Sequence, residues 1–414
     1  ILNDIISEDV KVNVRGGSKY CGGLSMFDSS LDVGIKNGLV SPVVYQHADF
    51  DKYFKSTEGT DKLKDFFYEV DASPEPALEV FGAYTVMERY LLKHPETRAL
   101  IETPKMWLAR VALGISDSVE HARRHWHLMM DLKTLPSTPT LFNAGTTRAQ
   151  MSSCFLMDSP EDSLDGIYKT IWDGAKLGKF AGGIAGSITG VRSLGSLIRG
   201  TNGQSNGIMP WLKIDDASVG AVNQGGKRLG AKAWYLETWH ADIFDFLSSR
   251  DQDGDMNRRT FNLNQANWVP DEFMRRVDAD EEWSLFDPNV TPDLKDLWGE
   301  AFDQRYRQYE AEGKAAKVVR ARALFEKMMK MLAETGNGWM CWKDRSNALC
   351  NQTYTGSVVH SSNLSTEIIE VTKTDTWVAV CNHASMVASK YVGAFRLLAD
   401  GRGSYLDSET FGAD

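Results

Sequence analysis

Apolar residues recur at helical spacing in Pro76-Ala77-Leu78-Glu79-Val80-Phe81 and in Val86-Met87-Glu88-Arg89-Tyr90-Leu91-Leu92, so the chain up to about Asp131 reads as mainly helical. From Leu132 the pattern changes. Strand-like runs such as Met151–Met157 and Trp377–Cys381 alternate with helical stretches such as Ala321–Glu334, the pattern of an α/β architecture. The shift divides the chain into a mainly helical region over 1–131 and an α/β region over 132–414. The sequence contains no internal repeat, low-complexity tract or obvious flexible linker.

Within the second region, Asn363-Leu364-Ser365-Thr366-Glu367 is polar at alternate positions. Alternate side chains of an extended segment share a face, so Asn363, Ser365 and Glu367 are expected to project together into one pocket. The flanks, Gly356-Ser357-Val358-Val359-His360 and Ile368-Ile369-Glu370-Val371, are rich in β-branched residues and predict a strand. A half-exposed strand whose polar face meets water fits the same spacing, so periodicity leaves both readings open.

Composition narrows the function classes. With 414 residues, 42% hydrophobic and 25% charged, the chain can bury a substantial core in about two or three domains. No run approaches the roughly 18 apolar residues of a membrane helix, and no signal-peptide pattern opens the chain. Five cysteines, Cys21, Cys154, Cys341, Cys350 and Cys381, fit reduced thiols and a cytoplasmic location better than a secreted disulfide framework. Cys21, Cys341 and Cys350 read as buried or incidental thiols, and no spacing marks a zinc site or other metal site. A formal charge of −10 argues against a nucleic-acid groove. It leaves nucleotide monomers open, because these need only local donors.

The pentad, with Cys154 upstream and Cys381 downstream, resembles the catalytic core of the ribonucleotide reductase large subunits of class I and their class II relatives. In that family the position of Ser365 is a cysteine. The resemblance implies that this cysteine forms a thiyl radical and abstracts the ribose 3′ hydrogen. It further implies that Glu367 takes the 3′-hydroxyl proton, that Asn363 orients the sugar hydroxyls, and that Cys154 and Cys381 reduce the 2′ carbon and end as a disulfide. Thioredoxin or glutaredoxin would reset the pair. Serine cannot hold the radical that cysteine holds, so turnover as written is expected to be abolished while binding survives.

The resemblance runs from about Leu135 to about Val387. Leu135-Pro136-Ser137-Thr138-Pro139-Thr140 and Met151-Ser152-Ser153-Cys154 are similar to the family's substrate-phosphate and first redox segments, which implies that Thr138 and Ser153 contact substrate. Taken alone, they also fit a proline-bounded turn and a Ser/Thr turn. Lys179-Phe180-Ala181-Gly182-Gly183-Ile184 resembles the glycine-rich turn against which substrate lies, glycine allowing close backbone approach or positive φ. Ala185 departs from the family's further glycine there. Arg192-Ser193-Leu194-Gly195-Ser196-Leu197-Ile198-Arg199-Gly200 resembles the first specificity loop, implying effector contacts at Arg192, Ile198 and Arg199. Asp162 aligns with the acidic residue that holds the effector ribose, although an Asp before a helix is also an ordinary N-cap. Ser248–Arg259 would be the second specificity loop. Gln224-Gly225-Gly226-Lys227-Arg228-Leu229-Gly230-Ala231 and Leu236-Glu237-Thr238-Trp239-His240 complete the similarity, the Trp239-His240 pair reading as structural.

The implied fold is the family's ten-stranded α/β barrel, only part of which is present, preceded by a mainly helical region with no ATP cone. The implied reaction converts ribonucleoside diphosphates to deoxyribonucleotides under ATP and dNTP effectors. In class I this chain binds no cofactor of its own and receives its radical from a metal-containing small subunit; in class II, adenosylcobalamin supplies it. A non-catalytic nucleotide-binding homologue is the third reading. The family chain extends beyond the second redox cysteine, so a complementary piece carrying the remaining barrel is an expected partner, as is a second copy of the chain through the effector-site helices. No membrane or nucleic-acid partner is expected.

Overall fold

The computed structural model describes residues 2–14, 21–45, 58–180, 182–224, 228–374, 376–397 and 403–406. They belong to two compact units, one of residues 1–152 with 382–414, the other of residues 153–381.

The first unit is helical through Met130. Its helices are α1 (Leu2–Asn13), α2 (Met26–Lys36), α3 (Glu58–Ala72), α4 (Val80–Thr85), α5 (Pro104–Ile115) and α6 (Val119–Met130). The helical run expected from Pro76 begins only at Val80, because Glu79, its N-cap, is extended at φ −66° and ψ 161°. Helix α5 forms the centre. It opens on a proline, whose missing N–H costs nothing at that position, and every residue from Pro104 to Leu113 is buried. Two of these residues are cationic and fully partnered. The Lys105 ammonium donates to the carbonyls of Asp71 and Ser73, and the Arg110 guanidinium pairs bidentately with Glu102, at 2.9 Å for each bond. Phe27, Phe66, Phe67 and Trp126 belong to the same buried cluster as Trp107 of α5. Beyond α6, Thr134–Pro136 pairs antiparallel with Ala384–Met386, and Thr138 opens the short helix α7 (Thr138–Asn143).

The second unit is built on a six-stranded sheet. In chain order its strands are β1 (Cys154–Met157), β2 (Gly183–Ser187), β3 (Ala231–Glu237), β4 (Leu263–Val269), β5 (Trp339–Trp342) and β6 (Ala379–Cys381). Strands β1 to β5 lie side by side in sequence order and run parallel; β6 closes onto β1 antiparallel. Buried runs such as Cys154-Phe155-Leu156-Met157 are what a parallel sheet covered on both faces requires. The crossover after β1 is α8 (Leu164–Lys179), capped by the Ser163 hydroxyl, which accepts from the Gly166 N–H. It buries Ile167, Ile171, Gly174 and Gly178 and leaves Leu164, Tyr168 and Trp172 exposed. After β2 come an antiparallel hairpin, Leu194–Ile198 with Gly203–Asn206, and helix α9 (Met209–Ala221). Helix α10 (Ala321–Thr335) matches the predicted helix to within a residue and leads to β5, which α11 (Lys343–Leu349) follows.

The register matters for function. Cys154 pairs with Gly183, and Gly183 with Ala231, so Cys154 and the glycine turn share the N-terminal end of the sheet. Asp158 and the Pro160–Asp162 segment leave the opposite end of β1. Among the described residues, no helix is long and apolar enough to cross a membrane.

Candidate active site and nucleotide pocket

Residues 356–371 form no strand, contrary to the alternation read from the sequence. The pentad is a turn. The Thr366 N–H donates to the Asn363 carbonyl, and Thr366 takes φ +64°. Asn363 is fully buried, whereas Ser365 and Glu367 are exposed, so they do not lie on one face of a strand. The cause is local. The Asn363 side-chain oxygen accepts from the N–H groups of both Glu367 and Ile368, at 3.0 and 3.1 Å, offering the backbone an alternative to a ladder. The Tyr235 hydroxyl fixes the Asn363 carbonyl from β3 at 2.7 Å.

This turn still assembles part of the expected site. The Asn363 amide donates to Glu367 Oε1 at 2.7 Å and to Cys154 Sγ at 3.4 Å. Cys154 and Cys381 are cross-strand partners of β1 and β6, and both are free thiols. Their sulfurs and a Glu367 carboxylate oxygen lie within 4.8 Å of one another. Directly opposed residues of two strands have the Cα separation that a disulfide spans. Two thiols and a carboxylate are also a plausible donor set for a soft metal, but metal binding needs thiolates. Burial, then the hydrogen bond and charge of Cys154, then Glu367, push the Cys381 thiol up to about 12. The arrangement therefore keeps the Cys381 thiol protonated beside a second thiol and a carboxylate.

The glycine turn abuts this cluster. A Cβ on Gly183 would meet Leu364 Cδ1 at 3.3 Å, and one on Gly182 would lie 2.5 Å from the Phe155 ring. Close approach, rather than positive φ, explains both glycines; Ala181 beside them lies outside the described residues. Ser153 is pinned by its backbone, donating to the Cys381 carbonyl and accepting from the Gly183 N–H, each at 2.8 Å. Thr138 lies in the first unit, its hydroxyl 3.2 Å from that of Tyr90.

At the other end of the sheet is a cavity of about 600 Å³, lined by Asp162, Arg192, Asn289, Lys295 and Thr374 among others. Asp162 is not the cap of α8; that role falls to Ser163. Its carboxylate instead accepts from Arg192 Nε at 2.8 Å. Ile198 and Arg199 sit at the far end of the hairpin and do not line the cavity. The base of the hairpin is fixed by the buried carboxylates of Asp242, which accepts from the N–H groups of Leu194 and Ile208, and Asp287, which accepts from that of Ser193. In Ser248–Arg259, two short 3₁₀ turns flank an exposed stretch. Gly225, Gly226 and Lys227 lie outside the described residues. His240 is buried, donating through Nε2 to the Val191 carbonyl and accepting the Asp242 N–H at Nδ1, a structural role. Cys21, Cys341 and Cys350 are buried thiols.

Sequence comparison decides the family. A profile described as the barrel domain of ribonucleotide reductase matches residues 152–412, and one for its all-alpha domain matches residues 77–149. The chain belongs to the ribonucleotide reductase family. It is similar to the ribonucleoside-diphosphate reductase large subunit of Arabidopsis thaliana, 41% identical over 382 residues, which cover 92% of this chain and 46% of that protein. The large subunit of Caenorhabditis elegans is 45% identical over 75% of this chain and 39% of its own length. The subunit alpha of Chlamydia muridarum is 42% identical over 77% of this chain and 31% of its own. The chain thus spans less than half the length of these curated relatives.

The sequence reading missed Asn289, Lys295 and Thr374, which line the cavity, and Asp158 and His360, which are joined to it through Thr374. His360 was assigned to a strand flank, and nothing in its spacing signals two carboxylate partners far away in sequence.

Proposed function

We propose that this chain carries the reducing thiols, the sugar-binding turn and the effector pocket of a class I ribonucleoside-diphosphate reductase large subunit. The observation that carries the reading is the cross-strand pair Cys154–Cys381, with Glu367 and Asn363 gathered on it. In the reaction, the two thiols supply two electrons and two protons to a ribonucleoside diphosphate, one proton going to the departing 2′ hydroxyl and the other, with the electron pair, into the new 2′ C–H bond. The 2′ hydroxyl leaves as water, and a Cys154–Cys381 disulfide remains. Glu367 accepts the 3′-hydroxyl proton; Asn363, already donating to that carboxylate, orients both. Ser153, Gly182 and Gly183 contact the substrate. Asp162 and Arg192 hold an ATP or dNTP effector, Arg192 offering a forked donor to phosphate and Asp162 an acceptor to ribose hydroxyls; Ile198 and Arg199 reach it from the hairpin tip. A radical-generating small subunit supplies the oxidising equivalent, and thioredoxin or glutaredoxin re-reduces the pair. The exposed stripe Leu164, Tyr168 and Trp172 suits pairing of two copies through α8.

Ser365 favours a second reading, a nucleotide binder without turnover. An O–H bond is too strong for serine to replace the thiyl carrier.

Mild oxidation with diamide tests the core of the proposal. The expected product is one Cys154–Cys381 disulfide, seen by peptide mass and by loss of two thiols alkylatable after unfolding in urea, and reversed by reduced thioredoxin. Full alkylation of both cysteines after oxidation would refute it. A Ser365→Cys chain, completed by a small subunit, then separates the two readings: reduction of a nucleoside diphosphate supports the enzyme, and none supports the binder.

A further inference from the structure

One ion cluster in the second unit serves neither the thiols nor the pocket directly, yet touches the chain leading to each. The imidazole of His360 bonds through Nδ1 to Asp158 Oδ1 at 2.8 Å and through Nε2 to Asp296 Oδ1 at 2.9 Å. Carboxylates only accept hydrogen bonds, so both ring nitrogens donate and the ring is a cation. Its side chain is 12% exposed and that of Asp158 is 10%, so water does little to weaken these contacts.

The positions of the partners give the cluster its interest. Asp158 follows β1 directly, and β1 begins at Cys154. Its second oxygen accepts from the Thr374 N–H and hydroxyl, at 2.8 and 3.1 Å, and Thr374 lines the nucleotide cavity. Asp296 is paired with Lys295, which lines the same cavity. On the other side, His360 lies three residues before Asn363, on a segment whose extended length is about 10 Å. Asn363 then grips Cys154 and Glu367. Two short tethers, β1 and His360–Asn363, thus run from the cavity rim to the thiol site, and the imidazolium ties their far ends together.

We propose that His360 is a positioning residue through which nucleotide occupancy of the Asp162/Arg192 cavity sets the placement of Asn363, and with it the Glu367 carboxylate; the proposal rests on the nucleotide-pocket reading above. A polyphosphate drawn to Lys295 weakens that lysine's hold on Asp296. Asp296 then turns wholly to His360, and the tether to Asn363 tightens. The charged groups around the ring are Asp158, Asp296 and its partner Lys295, Glu237 at the end of β3, and Lys343 at the start of α11, which neutralises Glu237. Loss of the imidazolium proton adds net negative charge beside the cavity and removes one of the two bonds. Burial alone would lower its pKa, but the two carboxylates outweigh burial and raise it to about 9. The tether is therefore intact at neutral pH and lost as pH rises through that value.

The test uses the full chain with dTTP as probe, following binding by calorimetry and amide exchange by mass spectrometry. At pH 7, saturating dTTP should slow exchange of the Glu367 and Ile368 amides, which donate to the Asn363 side chain, by at least about threefold. His360→Gln should still bind dTTP but lose that response. Affinity of the parent chain should fall roughly tenfold as pH rises through about 9, the equivalent of about one pKa unit of linkage, whereas His360→Gln should show no step. Asp296→Asn, at the solvent edge of the cluster, should move the step down by about one pH unit, and it decides the matter if His360→Gln misfolds. An unchanged exchange response in His360→Gln, or an unmoved step in Asp296→Asn, would overturn the coupling. Failure of dTTP to bind at any pH would overturn the pocket reading, and the coupling with it, and is distinguished by the absence of any binding heat.

Discussion

Replacing Lys343 with methionine isolates the electrostatics beneath the sheet. Lys343 and Glu237 are 0% and 2% exposed, and the ammonium reaches both carboxylate oxygens, at 2.9 and 2.7 Å. It also donates to the carbonyls of Leu294 and Lys295 at 3.3 Å, holding the turn that carries Asp296. The Trp239 indole gives Glu237 a further bond at 2.6 Å. Methionine fills much of the same volume, so packing loss is small and the cost is mainly that of an orphaned buried carboxylate, about 3–5 kcal/mol. Domain stabilities are typically about 5–15 kcal/mol, so the loss is a large share of the total. Burial already holds the Glu237 pKa above the usual carboxylate range, against the opposing pull of Lys343. Removing the ammonium removes that pull, and the acid form becomes the cheaper one to bury. The folded pKa then exceeds the unfolded one by more, so the variant's deficit is largest at high pH and shrinks as pH falls and Glu237 protonates. Urea unfolding at pH 8 and pH 5.5 should give a lower midpoint at unchanged slope, with the deficit reduced at the lower pH. The double variant Lys343→Met/Glu237→Leu should recover most of the loss. A deficit below about 1 kcal/mol, or one equal at both pH values, would refute the reasoning.

Further outcomes follow from the site geometry. Gly182→Ala places a methyl 2.5 Å from the Phe155 ring and should cost about 1–3 kcal/mol, whereas Gly183→Ala meets only the flexible end of Leu364 at 3.3 Å and should cost less; thermal melts rank the two. Asn363→Asp keeps the acceptor for the Glu367 and Ile368 amides but sets a carboxylate against Glu367, so hydrogen exchange in residues 364–371 should rise, and an unchanged rate would contradict the contact. Cys381 should resist iodoacetamide at pH 7 and react only as pH climbs toward about 12; Cys154→Ser, which removes the thiol partner and its charge, should bring reactivity to lower pH. Ser365→Cys should change stability by no more than about 0.5 kcal/mol, measured by the same melts, because the side chain is exposed at the apex of its turn.

Long, strongly patterned elements were legible in the sequence. The helical character up to Met130, the Ala321 helix and the strands ending in Met157 and Cys381 follow from period and flanking residues. The family resemblance supplied what periodicity could not, namely the pairing of Cys154 with Cys381 across a wide gap in sequence. The pentad failed as a strand because β-branched flanks say only that an extended chain is comfortable. Whether it pairs depends on a neighbouring strand, and here the Asn363 side chain took the amides first. Asp158 and His360 were illegible for another reason: each is ordinary alone, and their meaning comes from a tertiary contact.

The turn also explains how a serine can stand at position 365 without disturbing the fold. Its shape is determined by Asn363, whose side chain and carbonyl together engage Thr366, Glu367, Ile368, Tyr235 and Cys154. That set of bonds overrides a real backbone penalty. Thr366 is β-branched and sits at φ +64°, a conformation that costs about 1–3 kcal/mol and survives only where the surroundings fix it. Residue 365 takes no part in the bracing, since it projects from the apex toward solvent. The division of labour is therefore between a buried asparagine that builds the turn and an exposed neighbour whose chemistry the turn presents. A change at 363 alters where the side chains of the turn stand, whereas a change at 365 alters only the group exposed at its apex.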